Sequence, residues 1–234
     1  MLLLFPFAFG LLLQYTSCAS QAGNEQGSPC GVLSQPGVTL KIAGGEVAAS
    51  HTWGWMVSLR VLDTHFCGGA ILNERFVVTA GHCLTAPEVT MKNITVCVGI
   101  DKLSDICSQS VAVDSYTVHH EFIESTAVND IVLIRLATPL NFSDPFVGRI
   151  CLPNTTHPFE YPETGTFVIA AGWGSTYEGG KANNALRQAS LKILDKSVRI
   201  CASDTFDNRL QLCAYSPDRG KNAQLHIHRA TSTT

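Results

Sequence analysis

Apolar positions come in short runs, many alternating with polar ones and bounded by turn residues: Met56 to Leu62, Gly69 to Leu72, Phe76 to Thr79, Thr95 to Val98, Val111 to Val118 and Ile131 to Leu136. Runs of this length, recurring at intervals of roughly 8 to 12 residues, predict a sandwich or barrel rather than βαβ units, so the fold class expected is all-β. A proline-rich stretch from Cys151 to Pro162 interrupts the pattern, after which Thr166 to Gly174 and Ala185 to Leu194 read as strands again. Such an interruption predicts a linker between two lobes.

The N-terminus follows a different pattern. Leu2 to Leu13 is a continuous apolar run, broken by Pro6 and Gly10 and followed by the small residues of Ser17 to Ala22, but it lacks a positive leading segment. The run is shorter than the roughly 20 apolar residues of a membrane-crossing helix. Residues 1–19 therefore read as a signal peptide, which predicts a secreted, extracellular protein with no membrane anchor. Cysteine content agrees: nine among 234 residues suggest an oxidising compartment, and eight remain after cleavage near Cys18. Eight cysteines allow about 105 pairings, so parity alone selects none. The sequons at Asn93, Asn141 and Asn154 fit a secretory route with glycosylation. Charged residues make up only 15% and apolar ones 45%, against a globular average near ~25% charged, which excludes a disordered chain or a coiled coil. A net charge of -3 without a run of Lys or Arg offers nothing to nucleic acid.

Candidate chemistry starts at Thr79-Ala80-Gly81-His82-Cys83, about fifteen residues after Cys67-Gly68-Gly69, read as a turn. A bridge between those cysteines would close a short loop, worth ~3 kcal/mol, and hold the imidazole still. Asp130 opens the apolar run Ile131 to Leu136, where a partly desolvated carboxylate needs a charged or N–H partner. Two further motifs are Lys41-Ile42-Ala43-Gly44-Gly45 and Ala171-Gly172-Trp173-Gly174. Taken singly, a histidine beside a cysteine is ordinarily a half-buried residue, and an aspartate before a strand a turn or cap group.

Taken together and in this order, the four motifs resemble the trypsin/chymotrypsin-like serine endopeptidases from about Cys30 to Ala223. The resemblance implies a chymotrypsin-like double β-barrel over 42–223, with a first barrel at about 42–150 and a partial second at about 165–223. It implies a pro-segment at 20–41, an activation bond at Lys41–Ile42, His82 as general base and Asp130 as the acid orienting it. It pairs Cys67 with Cys83, Cys201 with Cys213 and Cys30 with Cys151, and leaves Cys97 with Cys107, a pair that is not a general family feature. Asn222 falls at the base of the primary specificity pocket, where an amide would not attract Arg or Lys. Gly81 stands where Ala is usual in the family, and Ala43 where Val is usual. Partners implied are protein or peptide substrates or inhibitors, with no cofactor and a monomeric state.

One departure is large. The family's Gly-Asp-Ser-Gly-Gly-Pro is absent: Cys213 to Ala223 matches the approach to it, and Gln224-Leu225-His226-Ile227-His228-Arg229 follows instead. With that motif go the nucleophile, the two N–H groups of the oxyanion hole and the aspartate that would receive the Ile42 amine. This chain is therefore expected to be catalytically incompetent, a shortened form of a secreted endopeptidase. An alternative is a secreted, non-catalytic homologue that binds proteins, and a third reading is an enzyme with a substitute nucleophile. Ser175 and Ser190 are the obvious substitutes, and neither lies in a glycine-flanked turn. His226 and His228 form a His-x-His pair without further ligands, so no metal is expected, and 224–234 reads as a disordered tail. An incomplete second lobe is expected to expose strand edges and apolar faces around Trp173, Leu191 and Leu212.

Overall fold

The computed structural model describes residues 30–31, 45–85, 89–153, 162–175, 180–195, 197–198, 201 and 210–216, together with the backbone of 224–228. Strands dominate, in two sheets. Six of them, β2 (Met56–Val61), β3 (Thr64–Ile71), β4 (Phe76–Thr79), β5 (Ile94–Val98), β6 (Gln109–Val118) and β7 (Val132–Leu136), close into a barrel in the order β2-β3-β4-β7-β6-β5. Closure removes the free edges that an open sheet would leave. The alternation read from the sequence sorts the side chains of β7: Val132, Ile134 and Leu136 are fully buried, while Leu133 and Arg135 face outward. β2 is buried along almost its whole length, Ser58 and Arg60 included, and its Val57 and Leu59 are fully buried.

Cys67-Gly68-Gly69, read from the sequence as a turn, lies instead inside β3. The turn falls earlier, at Leu62 and Asp63, both in the left-handed region (φ 49° and 63°), where a two-residue connection joins β2 to β3. Gly69 is needed for close approach rather than for a turn: a Cβ there would stand 2.8 Å from the Val78 carbonyl oxygen of neighbouring β4.

The second sheet is open. β9 (Arg187–Ile193) lies at its centre, with β8 (Phe167–Gly172) along one side and, on the other, β1 (Glu46–Val47) at one end and β10 (Gln211–Tyr215) at the opposite end. β11 (Gln224–His228) pairs with β10 over five residues, with Cys213 opposite His226. The sequence reading leaves those five residues in a disordered tail. Their Gln-Leu-His-Ile-His alternation suits a strand, and β10 offers an edge to pair with.

Two of the apolar faces expected to be exposed are covered. Trp173 is 1% exposed and belongs to the barrel's own core cluster, together with Ile169, Ala171 and Leu186 from the second lobe. Its indole N–H donates to the Asp101 carbonyl at 3.0 Å. Leu191 is buried in a smaller cluster with Val168, Ile193 and Ala214, against which Leu212 is partly packed. The sheet thus turns the face that carries Ile169 and Ala171 to the barrel, while Val168 and Leu191 belong to a cluster of their own. Edges do remain, since among the described residues β8 pairs with β9 alone and β11 with β10 alone.

His65 on β3 sits beside this junction, with Nδ1 2.9 Å from the Ser58 hydroxyl and its ring edge-on to Trp173. Burial, with a smaller contribution from the Arg60 guanidinium, lowers its pKa to about 4. A histidine depressed in the folded state binds its proton more readily once unfolded, so stability is full above the unfolded value of roughly 6.5 and falls as pH drops toward the folded one. Denaturant melts at pH 7 and near pH 4.5 are expected to differ by on the order of 2 kcal/mol more in the wild type than in His65→Gln. Parallel acid profiles for the two proteins would contradict this.

Candidate active site

β4 ends at Thr79 and the chain enters a single 3-10 turn, Gly81–Cys83. The Cys67–Cys83 disulfide ties that turn to β3. Between the two anchors His82 is held with 27% of its side chain exposed. Asp130 arrives from a loop folded back on itself: Ala127 and Asn129 both take left-handed backbone (φ 50° and 54°), and the Asn129 amide donates to the Glu121 carbonyl at 3.1 Å. The loop delivers the carboxylate under the imidazole immediately before β7 begins.

The contact is two-pronged. Asp130 Oδ2 lies 2.7 Å from His82 Nδ1, and Oδ1 accepts the His82 backbone N–H at 2.8 Å. The Asp130 side chain is wholly buried. An ionised carboxylate is acceptor-only, so the proton between the groups resides on Nδ1 and the neutral ring keeps its lone pair on Nε2. Gly81 makes room for the arrangement: a Cβ there would come within 3.0 Å of Asp130 Oδ1 and 3.2 Å of the Phe122 ring. The Phe122 ring thus stands where a side chain at position 81 would go. What lies against Nε2 is Cys83 Sγ, at 3.6 Å.

Such a dyad can take a proton at Nε2 and hold the resulting imidazolium against a buried negative charge. Activating a nucleophile also needs a hydroxyl near Nε2 and N–H groups to receive an oxyanion. Ser190 stands in β9, opposite Ile169 of β8. Ser175 is among the described residues but beyond any strand.

Among the described residues there are four disulfides, Cys30–Cys151, Cys67–Cys83, Cys97–Cys107 and Cys201–Cys213. Cys97–Cys107, ten positions apart, ties β5 to the segment just before β6. Of the sequons, Asn141 is exposed, its Oδ1 accepting the Ser143 N–H, and Asn93 is half-buried, its Oδ1 accepting the Thr90 N–H. Asn154, Lys41, Ile42 and Asn222 lie outside the described residues, as does the expected signal peptide. Among the described residues no helix is long and apolar enough to cross a membrane. Sequence reasoning missed Asn129, which shapes the loop that delivers Asp130, and Phe122, whose ring abuts Gly81; the positive φ at Asn129 had a faint signal in the residue type, and Phe122 had none.

A closed six-stranded barrel, a second antiparallel sheet packed on it, and a buried carboxylate gripping a disulfide-clamped histidine define a chymotrypsin-like β-protein. The Trypsin family model matches residues 42–224, and the chain belongs to the trypsin-like serine protease family. Mouse ovochymase-2 is 30% identical over 190 residues, covering 78% of this chain and 30% of its own length. The chain therefore spans about a third of that relative. Among solved structures, human heparin-binding protein superposes with a TM-score of 0.63 at 24% identity, over 82% of each chain. At that identity the match speaks for the fold alone.

Proposed function

We propose that the protein is a secreted member of the family that carries the base and orienting acid of peptide-bond hydrolysis, His82 and Asp130, without the group they serve. The observation behind this is the pairing of the 2.7 Å Nδ1–Oδ2 contact with a sequence that lacks Gly-Asp-Ser-Gly-Gly anywhere in its 234 residues. In the full mechanism Asp130 would set the tautomer, His82 would take the serine proton and later return it to the leaving amine, and two backbone N–H groups would hold the oxyanion. Asp130 and His82 are present for the first two roles, while the motif that would bring the serine and the two N–H groups is absent from the sequence. Four disulfides and the N-terminal apolar run support an extracellular location. Lys41–Ile42 is the activation bond in this reading, and protein or peptide ligands are the partners that suit it.

A fluorophosphonate probe tests the reading directly, because it labels only an activated hydroxyl. After cleavage at Lys41 the chain is expected to remain unlabelled under conditions that label an active trypsin-like enzyme to completion. Labelling that disappears in His82→Ala would overturn it.

A further inference from the structure

A sulfur lies beside His82 Nε2. Cys83 Sγ is 3.6 Å away, and one ligand atom each from Cys67, His82 and Cys83 falls within 4.8 Å of the others. In the neutral ring this contact is no hydrogen bond: the Nδ1 proton is committed to Asp130, and a disulfide sulfur has no proton to give. Three donors of the type zinc prefers thus converge, two of them tied to each other by a bond. Among the described residues no other three His, Cys, Asp or Glu side chains do so.

The distances suit a metal once that bond is open. With Zn–S near 2.3 Å and Zn–N near 2.0 Å, tetrahedral angles set neighbouring ligand atoms about 3.6 Å apart. The separation between Nε2 and Cys83 Sγ already has that value, and the Cys67 sulfur, within 4.8 Å of Nε2, has to part from that of Cys83. Asp130 supplies the outer half of the site, since its carboxylate on Nδ1 fixes the orientation of the ring. The partly exposed edge of His82 gives an ion a way in.

We propose that reduction of the Cys67–Cys83 disulfide converts this corner into a Cys2His zinc site, with a fourth position open to water. A dithiol reductant delivers two electrons and two protons to the sulfur–sulfur bond and is itself oxidised to a disulfide. The metal ion then replaces the two thiol protons, which leave to solvent, and binds two thiolates and the imidazole. The sequence reading expects no metal; this ligand set exists only after reduction, and it requires no hydrolytic activity.

The test uses the full chain, reduced with a dithiol, freed of reductant under anaerobic conditions and treated with iodoacetamide with or without zinc ion, with each cysteine read by mass spectrometry. Zinc at about ten times its Kd is expected to slow alkylation of Cys67 and Cys83 on the order of tenfold while leaving the other cysteines unaffected. His82→Ala should remove that protection, and Asp130→Asn should weaken zinc affinity about 10 to 100-fold. Cobalt in place of zinc should show a tetrahedral visible spectrum that His82→Ala abolishes. Equal alkylation with and without zinc, protection unchanged in His82→Ala, or loss of the β-sheet circular dichroism on reduction would each overturn the proposal.

Discussion

A peptide ester incubated with the 234-residue chain is expected to hydrolyse at the rate of the buffer alone, and His82→Ala to change nothing. The size of the deficit separates two ways of being inactive. Enzymes of this mechanism that lose triad members alone retain roughly 10³ to 10⁴ over water, because the oxyanion hole and substrate binding survive. Here the sequence carries neither the nucleophile nor the motif whose backbone N–H groups form that hole. On the proposed reading that residual acceleration is lost as well, and the whole enhancement, at least ~10⁶ for an ordinary enzyme, should be missing. A rate in the thousandfold range would mean that oxyanion donors exist somewhere in the chain. A faster rate lost in His82→Ala would mean that another hydroxyl reaches Nε2.

The largest structural effect is expected from Trp173→Ala, a loss of about 3–5 kcal/mol in unfolding free energy. Trp173 is almost wholly buried and lies within the barrel's core cluster although it follows β8 of the other sheet. Truncation would open a cavity at the junction and leave the Asp101 carbonyl with one donor, the Leu186 N–H at 2.7 Å. For a chain of this size the loss corresponds to a fall in Tm of about 6–20 °C. Urea melts would measure it, and hydrogen exchange would show where it acts. Amides of β8 and β9 should lose protection before those of β2 and β5, since the barrel is closed and the second sheet leans on it. A change below about 1 kcal/mol would mean that the two lobes are not joined through this residue.

Much of the site is legible in the amino-acid sequence. His82 and Asp130 lie 48 positions apart, but each stands in a local motif with its own physical logic, one beside a cysteine and one before an apolar strand. Fold class is equally legible, because strand alternation is a local property and the described strands of the barrel lie within two or three residues of the runs that predict them, apart from β3, whose first half those runs miss. The misreadings are nonlocal. Cys67-Gly68-Gly69 has turn composition, yet its glycine is there because Val78 of another strand comes too close for a side chain. Two-residue β1 has no periodicity to read, and it forms because Glu46 and Val47 meet Gln188 and Arg187.

The amino-acid order thus determined which segments are strands, that a histidine and an aspartate stand in catalytic-type motifs, and that no Gly-Asp-Ser-Gly-Gly accompanies them. Tertiary structure alone decided that the partial second sheet keeps Trp173 and Leu191 out of water, that β10 finds an edge partner in 224–228, and that a sulfur lies beside Nε2 of His82. The physical reason is range. Backbone preference and period-two burial act over a few residues, whereas contacts such as Trp53 to Gln188, 135 positions apart, exist only after the chain has closed on itself.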